Sequence, residues 1–166
     1  MPLNAVNSIK DAILLFSHGS VLCGAGETLR ALAQRMRERG EAPIIEIGYL
    51  NYSLPLFAEA FENCVRQGAT RITIAPYFLV EGKFVAVDLP PQIEKMTSRF
   101  PDVEVLVAQA MKHHPLLAHA ILSSASRAAP PQAWRDIWKT APQSCRDNPQ
   151  CPLYGTPRCP ATQAAL

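Results

Sequence analysis

Four short apolar segments, each separated from the next by a stretch of helical periodicity, constrain the fold of this chain more than any other feature. Residues 12–16 read AILLF, a continuous apolar run that ends at Ser17. Such a run is typical of a parallel strand that is buried on both faces. Three further strands are predicted at residues 43–50, 71–79 and 103–108, and Pro76 is expected at or beyond the hydrogen-bonded end of the third.

Apolar side chains recur at helical spacing between these strands. The spacing predicts helices over residues 27–39, 53–67, 90–100 and 114–127, and Gly40 and Gly68 are predicted to end the first two. In the second helix, the inward positions are predicted to be Leu56, Phe57, Ala60, Phe61, Cys64 and Val65. Alternating strands and helices favour an α/β fold, a three-layer sandwich in which helices cover both faces of a four-stranded parallel sheet.

The polar segments that follow the strands are the expected location of the functional site. In parallel sheets, ligands bind beyond the carboxyl ends of the strands. Here those segments are predicted to be loops over residues 17–26, 51–54, 80–88 and 109–114.

Composition divides the chain into a body, residues 1–128, and a C-terminal extension, residues 129–166. The body has 12 basic and 12 acidic residues, whereas the extension has four basic and two acidic residues. The extension also holds seven of the 15 prolines and three of the five cysteines, with too few aliphatic residues for its own core. We therefore predict an α/β domain followed by a segment without an independent core.

Charge and hydropathy exclude several classes of function. The formal net charge of +2 is too small to indicate a nucleic-acid-binding protein. No segment approaches the ~20 apolar residues of a membrane span, and the N-terminus does not resemble a signal peptide. We predict a cytoplasmic protein with no nucleic-acid or membrane partner.

His18 is the leading candidate for a functional residue, because it follows the first buried strand and precedes Gly19, where the chain must turn. A neutral imidazole at this position can bind a divalent metal or accept a proton near neutral pH. The alternative is a histidine that only hydrogen-bonds loop carbonyls. The glycines nearby fit neither a dinucleotide-binding fingerprint nor a P-loop.

An ordered set of motifs follows the four strands. They are His18-Gly19-Ser20, Tyr49-Leu50-Asn51, residues 76–82 (PYFLVEG), Asp88-Leu89-Pro90 and His114-Pro115-Leu116-Leu117. In this order, over about residues 11–125, the chain resembles the short CbiX/SirB family of sirohydrochlorin chelatases. The resemblance implies a chelatase-like half-domain whose homodimer encloses a tetrapyrrole, and insertion of Co²⁺ or Fe²⁺ into sirohydrochlorin.

The resemblance also assigns roles to individual residues. His18 matches the family's first metal-binding histidine, and Gly82 matches the glycine two positions before the second one. That second histidine falls on Phe84 here, and Asn51 stands where the family commonly has glutamate. If these replacements have removed fast chelation, the alternative function is a carrier of metal or tetrapyrrole.

Metal insertion releases two pyrrole N–H protons, so a base must stand near the macrocycle. We predict His18 and Glu81 as the catalytic residues, with His18 also as the metal ligand. The alternative for Glu81 is a solvated charge on a loop. Phe84 is expected either to pack on the macrocycle or to belong to the core or dimer interface. The residues predicted to contact the substrate are Ser20, Asn51, Gly82, Phe84 and His114.

Three cysteines of the extension, Cys145, Cys151 and Cys159, lack the C-x-x-C spacing of common zinc and iron–sulfur sites. They are predicted to be surface thiols, a disulfide, or ligands of a metal or an iron–sulfur cluster. The Co²⁺ or Fe²⁺ that the resemblance implies is predicted as a substrate of the reaction and not as a resident cofactor.

Overall fold

The computed structural model describes residues 9–20, 26–128 and 130–132. Its strands are β1 (Asp11–Ser17), β2 (Ile44–Tyr49), β3 (Arg71–Pro76) and β4 (Glu104–Val107). Its helices are α1 (Glu27–Glu38), α2 (Phe57–Arg66), α3 (Leu89–Arg99) and α4 (Leu117–Ala125). A π-helical turn, Phe84–Asp88, leads into α3, and a 3₁₀ turn, Met111–His113, precedes α4.

The four strands form one parallel sheet in the order β2-β1-β3-β4. The most apolar strand, β1, therefore lies between two neighbours, where both of its faces can be covered. Because all strands run in the same direction, their carboxyl ends meet at one edge of the sheet. The residues that follow β1, β2 and β3 are brought together there.

One face of the sheet packs against α2 and α3. Leu14 and Phe16 of β1 point to this face and are fully buried, together with Phe57 and Phe61 of α2. Burying each of these side chains contributes about 1.5–3 kcal/mol. This layer holds the central strand, and hence the residues that follow it, in place.

The opposite face packs against α1. Leu29 and Ala33 of this helix contact Leu15, Ile45 and Ile47 of the sheet. Gly40, with φ of +66°, ends the helix region as expected. Helices thus lie on both faces of the sheet, which confirms the predicted α/β fold with a four-stranded parallel sheet.

Two predicted element boundaries were wrong at prolines. The prediction extended the third strand to residue 79, but β3 ends at Pro76, which has no N–H to donate to a further ladder. Helix α2 begins at Phe57 instead of residue 53. Leu56, predicted to point inward, is 45% exposed and instead pairs with Tyr49 through an isolated β-bridge.

The segment 80–88, predicted to be a loop, is helical over its second half. The carbonyl of Gly82 accepts hydrogen bonds from the N–H groups of Val85 and Ala86, and the turn continues directly into α3. The N–H of Leu89 donates to the carbonyl of Phe84, five residues earlier, which gives the π-helical spacing. Pro90 and Pro91 follow in the first turn of α3, where a missing N–H is tolerated.

The predicted boundary between the body and its extension, at residues 128 and 129, stays a prediction. Residue 129 and residues 133–166 lie outside the described residues.

Candidate functional site

His18 directly follows the central strand β1, at the edge of the sheet where the carboxyl ends meet. The loop after β2 continues the pairing beyond the strands: the N–H of Leu50 donates to the Ser17 carbonyl at 2.8 Å, and that of Asn51 donates to the His18 carbonyl at 2.9 Å. These hydrogen bonds hold the backbone of His18 in place. They involve only backbone atoms, so the imidazole makes separate contacts.

Gly19 makes the turn that follows His18. Its φ is +85°, and a Cβ built at this position would lie 1.7 Å from the Asn51 carbonyl oxygen. Since the Asn51 backbone is itself hydrogen-bonded to His18, it cannot move aside without disturbing the site. The structure therefore requires glycine here for both conformation and space.

We expect Gly19→Ala to lower the free energy of unfolding by about 1–3 kcal/mol. Gly40→Ala is the matched control, because Gly40 also has positive φ (+66°) but its added Cβ would meet nothing within 4 Å. Chemical denaturation measures both losses. A loss for Gly19→Ala no greater than that for Gly40→Ala would contradict the steric role of Asn51.

Two aromatic side chains, Tyr52 and Phe84, contact His18, and a third, Phe78, packs beside Phe84; we call the three the aromatic cluster. The rings of His18 and Phe84 are stacked, with centroids 4.1 Å apart and planes at 29°. Tyr52 meets His18 edge-on at 5.6 Å, and Phe78 lies 6.1 Å from Phe84. The structure thus brings Phe84 directly onto His18 and sets an apolar wall beside the imidazole.

Glu81 is held by the segment that follows β4. One carboxylate oxygen accepts a hydrogen bond from the Ala110 N–H at 3.1 Å, and the other lies 2.5 Å from the Lys112 ammonium. The hydrogen bond from Lys112, followed by those from backbone N–H groups, lowers the pKa of Glu81. Its carboxylate is therefore ionised at neutral pH, and neither of these two contacts is to His18.

Because the pKa of Glu81 is lowered by folding, its interactions stabilise the folded state above the ordinary carboxyl pKa and are lost as pH falls through the lowered value. We expect Lys112→Met to move the titration midpoint of Glu81 upward, as read from the Ala110 amide chemical shift by NMR. Lys95→Met, at an exposed position of α3, is the control and should leave the midpoint unchanged. An unchanged midpoint in Lys112→Met would exclude this ion pair.

The remaining predicted substrate-contacting residues lie at the same end of the sheet. Ser20 donates its N–H to the Ser53 hydroxyl at 3.2 Å, and Asn51 is exposed. His114 accepts the Leu116 N–H at its Nδ1 atom, at 3.2 Å, so it caps the turn before α4. Gly82 is also at this end, but an added Cβ would meet nothing within 4 Å, so packing does not require glycine there.

Tyr52, a neighbour of His18, and Phe78, a neighbour of Phe84, were not predicted from the sequence. A usable signal was present, since each lies within three residues of the end of a strand adjacent to β1. Lys83 also lies at this end and is paired with Asp88, its ammonium 2.6 Å from a carboxylate oxygen.

Of the five cysteines, only Cys64 lies among the described residues. Cys64 is fully buried, and burial raises the pKa of its thiol to about 12, so it is a structural residue. Cys145, Cys151 and Cys159 lie outside the described residues, and their role stays a prediction. Within residues 9–20, 26–128 and 130–132, no group of three or more His, Cys, Asp or Glu side chains is placed to hold a metal ion.

Helices in the described part of the chain are all too short or too polar to cross a bilayer.

The chain is similar to several known proteins. Over 99 residues the chain is 35% identical to a sirohydrochlorin ferrochelatase of Priestia megaterium, an alignment that covers 60% of this chain and 37% of that protein. It is 39% identical over 80 residues to a sirohydrochlorin cobaltochelatase of Methanocaldococcus jannaschii, covering 48% of this chain and 56% of that one. The chain thus spans between about a third and a little over half of the length of these curated relatives.

Among solved structures, the chain is similar to the sirohydrochlorin chelatase SirB of Bacillus subtilis subspecies spizizenii in complex with cobalt. The TM-score is 0.68 at 25% identity, over 85% of this chain and 64% of that one. A CbiX protein of Marinobacter aquaeolei VT8, described as a putative cobalamin biosynthesis protein, gives a TM-score of 0.60 at 26% identity, over 70% and 95% of the two chains. Residues 12–128 match the CbiX family. Because this match spans more than half of the chain, the chain belongs to the CbiX family.

Proposed function

We propose that this chain is a chelatase that inserts Co²⁺ or Fe²⁺ into sirohydrochlorin in the cytoplasm, as a homodimer. The observation that carries the proposal is the position of His18 at the end of the central strand, stacked against the flat ring of Phe84. The names of the relatives, sirohydrochlorin ferrochelatase and cobaltochelatase, support the same substrate and both metals.

His18 supplies the group that metal insertion needs. Its imidazole can present the metal or accept one of the two protons that leave the pyrrole nitrogens. Phe84 contributes a flat apolar face beside it, on which a conjugated macrocycle can stack. The two residues together provide a polar and an apolar contact for one ligand.

Glu81 has a different role in this proposal from that predicted by the sequence. Its carboxylate is already bonded to Lys112 and Ala110, and its lowered pKa makes it a weak proton acceptor. These contacts support a positioning role, in which Glu81 fixes the segment after β4 next to the segment after β3. A catalytic role for Glu81 would require Lys112 to move away first.

The homodimer is supported by exposed apolar side chains on α4 and just before it. No residue of α4 is buried, and Leu116, Ile121 and Leu122 are 64%, 58% and 69% exposed. Leu106, on the face of the edge strand β4, is 45% exposed as well. Apolar surface of this kind favours association.

We expect Leu122→Glu to shift the protein from dimer to monomer, because a carboxylate in an apolar interface has no partner. Ser98→Glu introduces the same charge at an exposed position of α3 and should leave the dimer intact. Sedimentation velocity measures the oligomeric state of both variants. A wild-type protein that sediments as a monomer at all concentrations would contradict the homodimer.

Anaerobic mixing with sirohydrochlorin and Co²⁺ or Fe²⁺, followed by absorbance, tests the chemistry. We expect the rate of metal insertion to exceed the spontaneous rate measured without protein. Tight binding of the tetrapyrrole with no increase in rate would overturn the enzyme proposal and would support a carrier protein instead.

A further inference from the structure

A row of three hydroxyl groups crosses the carboxyl end of the sheet. Ser17, the last residue of β1, is paired in register with Tyr49, the last residue of β2. On the other side of β1, Phe16 is paired with Pro76, which places Tyr77 next to Ser17. Because side chains alternate along a strand, all three hydroxyl groups lie on the face that α1 covers.

This row lines a cavity of about 200 Å³. Ser20, Thr28 and Ser53 bring three more hydroxyl groups to its wall. No charged residue lines it within the part of the chain that the structure describes. A cavity with six hydroxyl groups and no carboxylate offers hydrogen bonds to an anion and does not repel it.

The Tyr49 hydroxyl already donates to the Gly26 carbonyl at 3.5 Å, so the donors toward the cavity must come from the other hydroxyl groups. The Ser53 oxygen already accepts the N–H of Ser20, so its own proton is available for another acceptor. A hydroxyl that donates to a carboxylate forms a charge-assisted hydrogen bond, which is about twice as strong as a neutral one. Several such donors around one site therefore favour a carboxylate over a neutral group.

Two lysines at this end of the sheet already form ion pairs within the chain. Lys83 is paired with Asp88, and Lys112 is paired with Glu81. Both ammonium groups are thus already neutralised within the chain. The hydroxyl cavity provides neutral donors for a carboxylate arm of a bound tetrapyrrole next to His18, whose two sequence neighbours line it.

We propose that this cavity binds one carboxylate arm of the tetrapyrrole and so fixes the orientation of the macrocycle relative to His18. The inference rests on the proposed function, because it names how the same substrate is held. It assigns a substrate-orienting role to Ser17, Ser53 and Tyr77.

Binding of metal-free sirohydrochlorin, followed by the change in its absorbance and fluorescence, tests the proposal. We expect Ser53→Ala and Tyr77→Phe each to weaken binding by about tenfold, the effect of one charge-assisted hydrogen bond. Ser98→Ala, at an exposed position of α3, is the matched control and should bind as the wild type does. Thermal unfolding of each variant confirms that it is folded.

A second ligand distinguishes binding through the carboxylates from binding through the rest of the macrocycle. The methyl ester of sirohydrochlorin, which has no ionised arms, should bind the wild type and both variants equally. If the free acid also binds all of them equally, the inference is wrong while the proposed function stands. If the wild-type protein binds no sirohydrochlorin, both the inference and the proposed function fail.

Discussion

His18→Ala is expected to lower kcat/KM for metal insertion by about two to four orders of magnitude, the usual effect of losing a positioned proton-transfer group. His18 stands at the end of the central strand with its backbone hydrogen-bonded to the loop after β2. Its side chain is only half-buried and stacks on Phe84, which is itself half-buried. The variant should therefore fold, and its defect should be chemical.

Two measurements distinguish a chemical defect from a structural one. The melting temperature of His18→Ala should stay close to that of the wild type. Imidazole added to the solution should restore part of the rate, because it can occupy the space beside Phe84 and accept a proton. A rate that survives the substitution unchanged would show that metal insertion takes place elsewhere.

Phe84→His is expected to raise the affinity for Co²⁺ by at least about tenfold. Even residues that only hydrogen-bond to metal ligands change metal affinity by this much, and a new ligand should do at least as well. The rings of His18 and Phe84 lie 4.1 Å apart. An imidazole in place of the phenyl ring would put a second nitrogen ligand within reach of the same ion after a small side-chain rotation.

Phe84→Leu is the control, since it removes the stacked ring without adding a ligand. Isothermal titration calorimetry with Co²⁺ measures the affinity of both variants, and the visible spectrum of bound cobalt reports the change in its ligands. Equal affinity in the two variants would mean that position 84 does not face the metal. A gain for Phe84→His alone would identify the phenylalanine as the residue that keeps the wild-type site to a single histidine.

The spacing of apolar residues in the sequence was sufficient to predict the four strands and the four α-helices. The continuous apolar run of β1 predicted a buried strand, and Leu14 and Phe16 are fully buried. Gly40 and Gly68, predicted to end helices, have φ of +66° and +87°, which glycine adopts without cost. These are local properties, and each is encoded within a few residues.

The errors arose where backbone hydrogen bonding depends on several residues at once. Leu56 fits the apolar pattern of α2, but the chain after β2 forms a bridge with Tyr49 before the helix begins. The turn Phe84–Asp88 has no strong helical pattern, and backbone hydrogen bonds to the carbonyls of Gly82 and Phe84 define it. Neither feature can be read from side-chain spacing.

The sequence by itself determined that His18 would stand at the end of a buried strand, since an apolar run, a histidine and a glycine in that order fix where the strand stops and the chain turns. Only the tertiary structure decided what surrounds it. Phe84 stacks on His18, and Glu81 is bonded to Lys112. These contacts join segments that follow different strands, so they depend on strand order and on how each loop crosses the sheet edge, which no local pattern specifies.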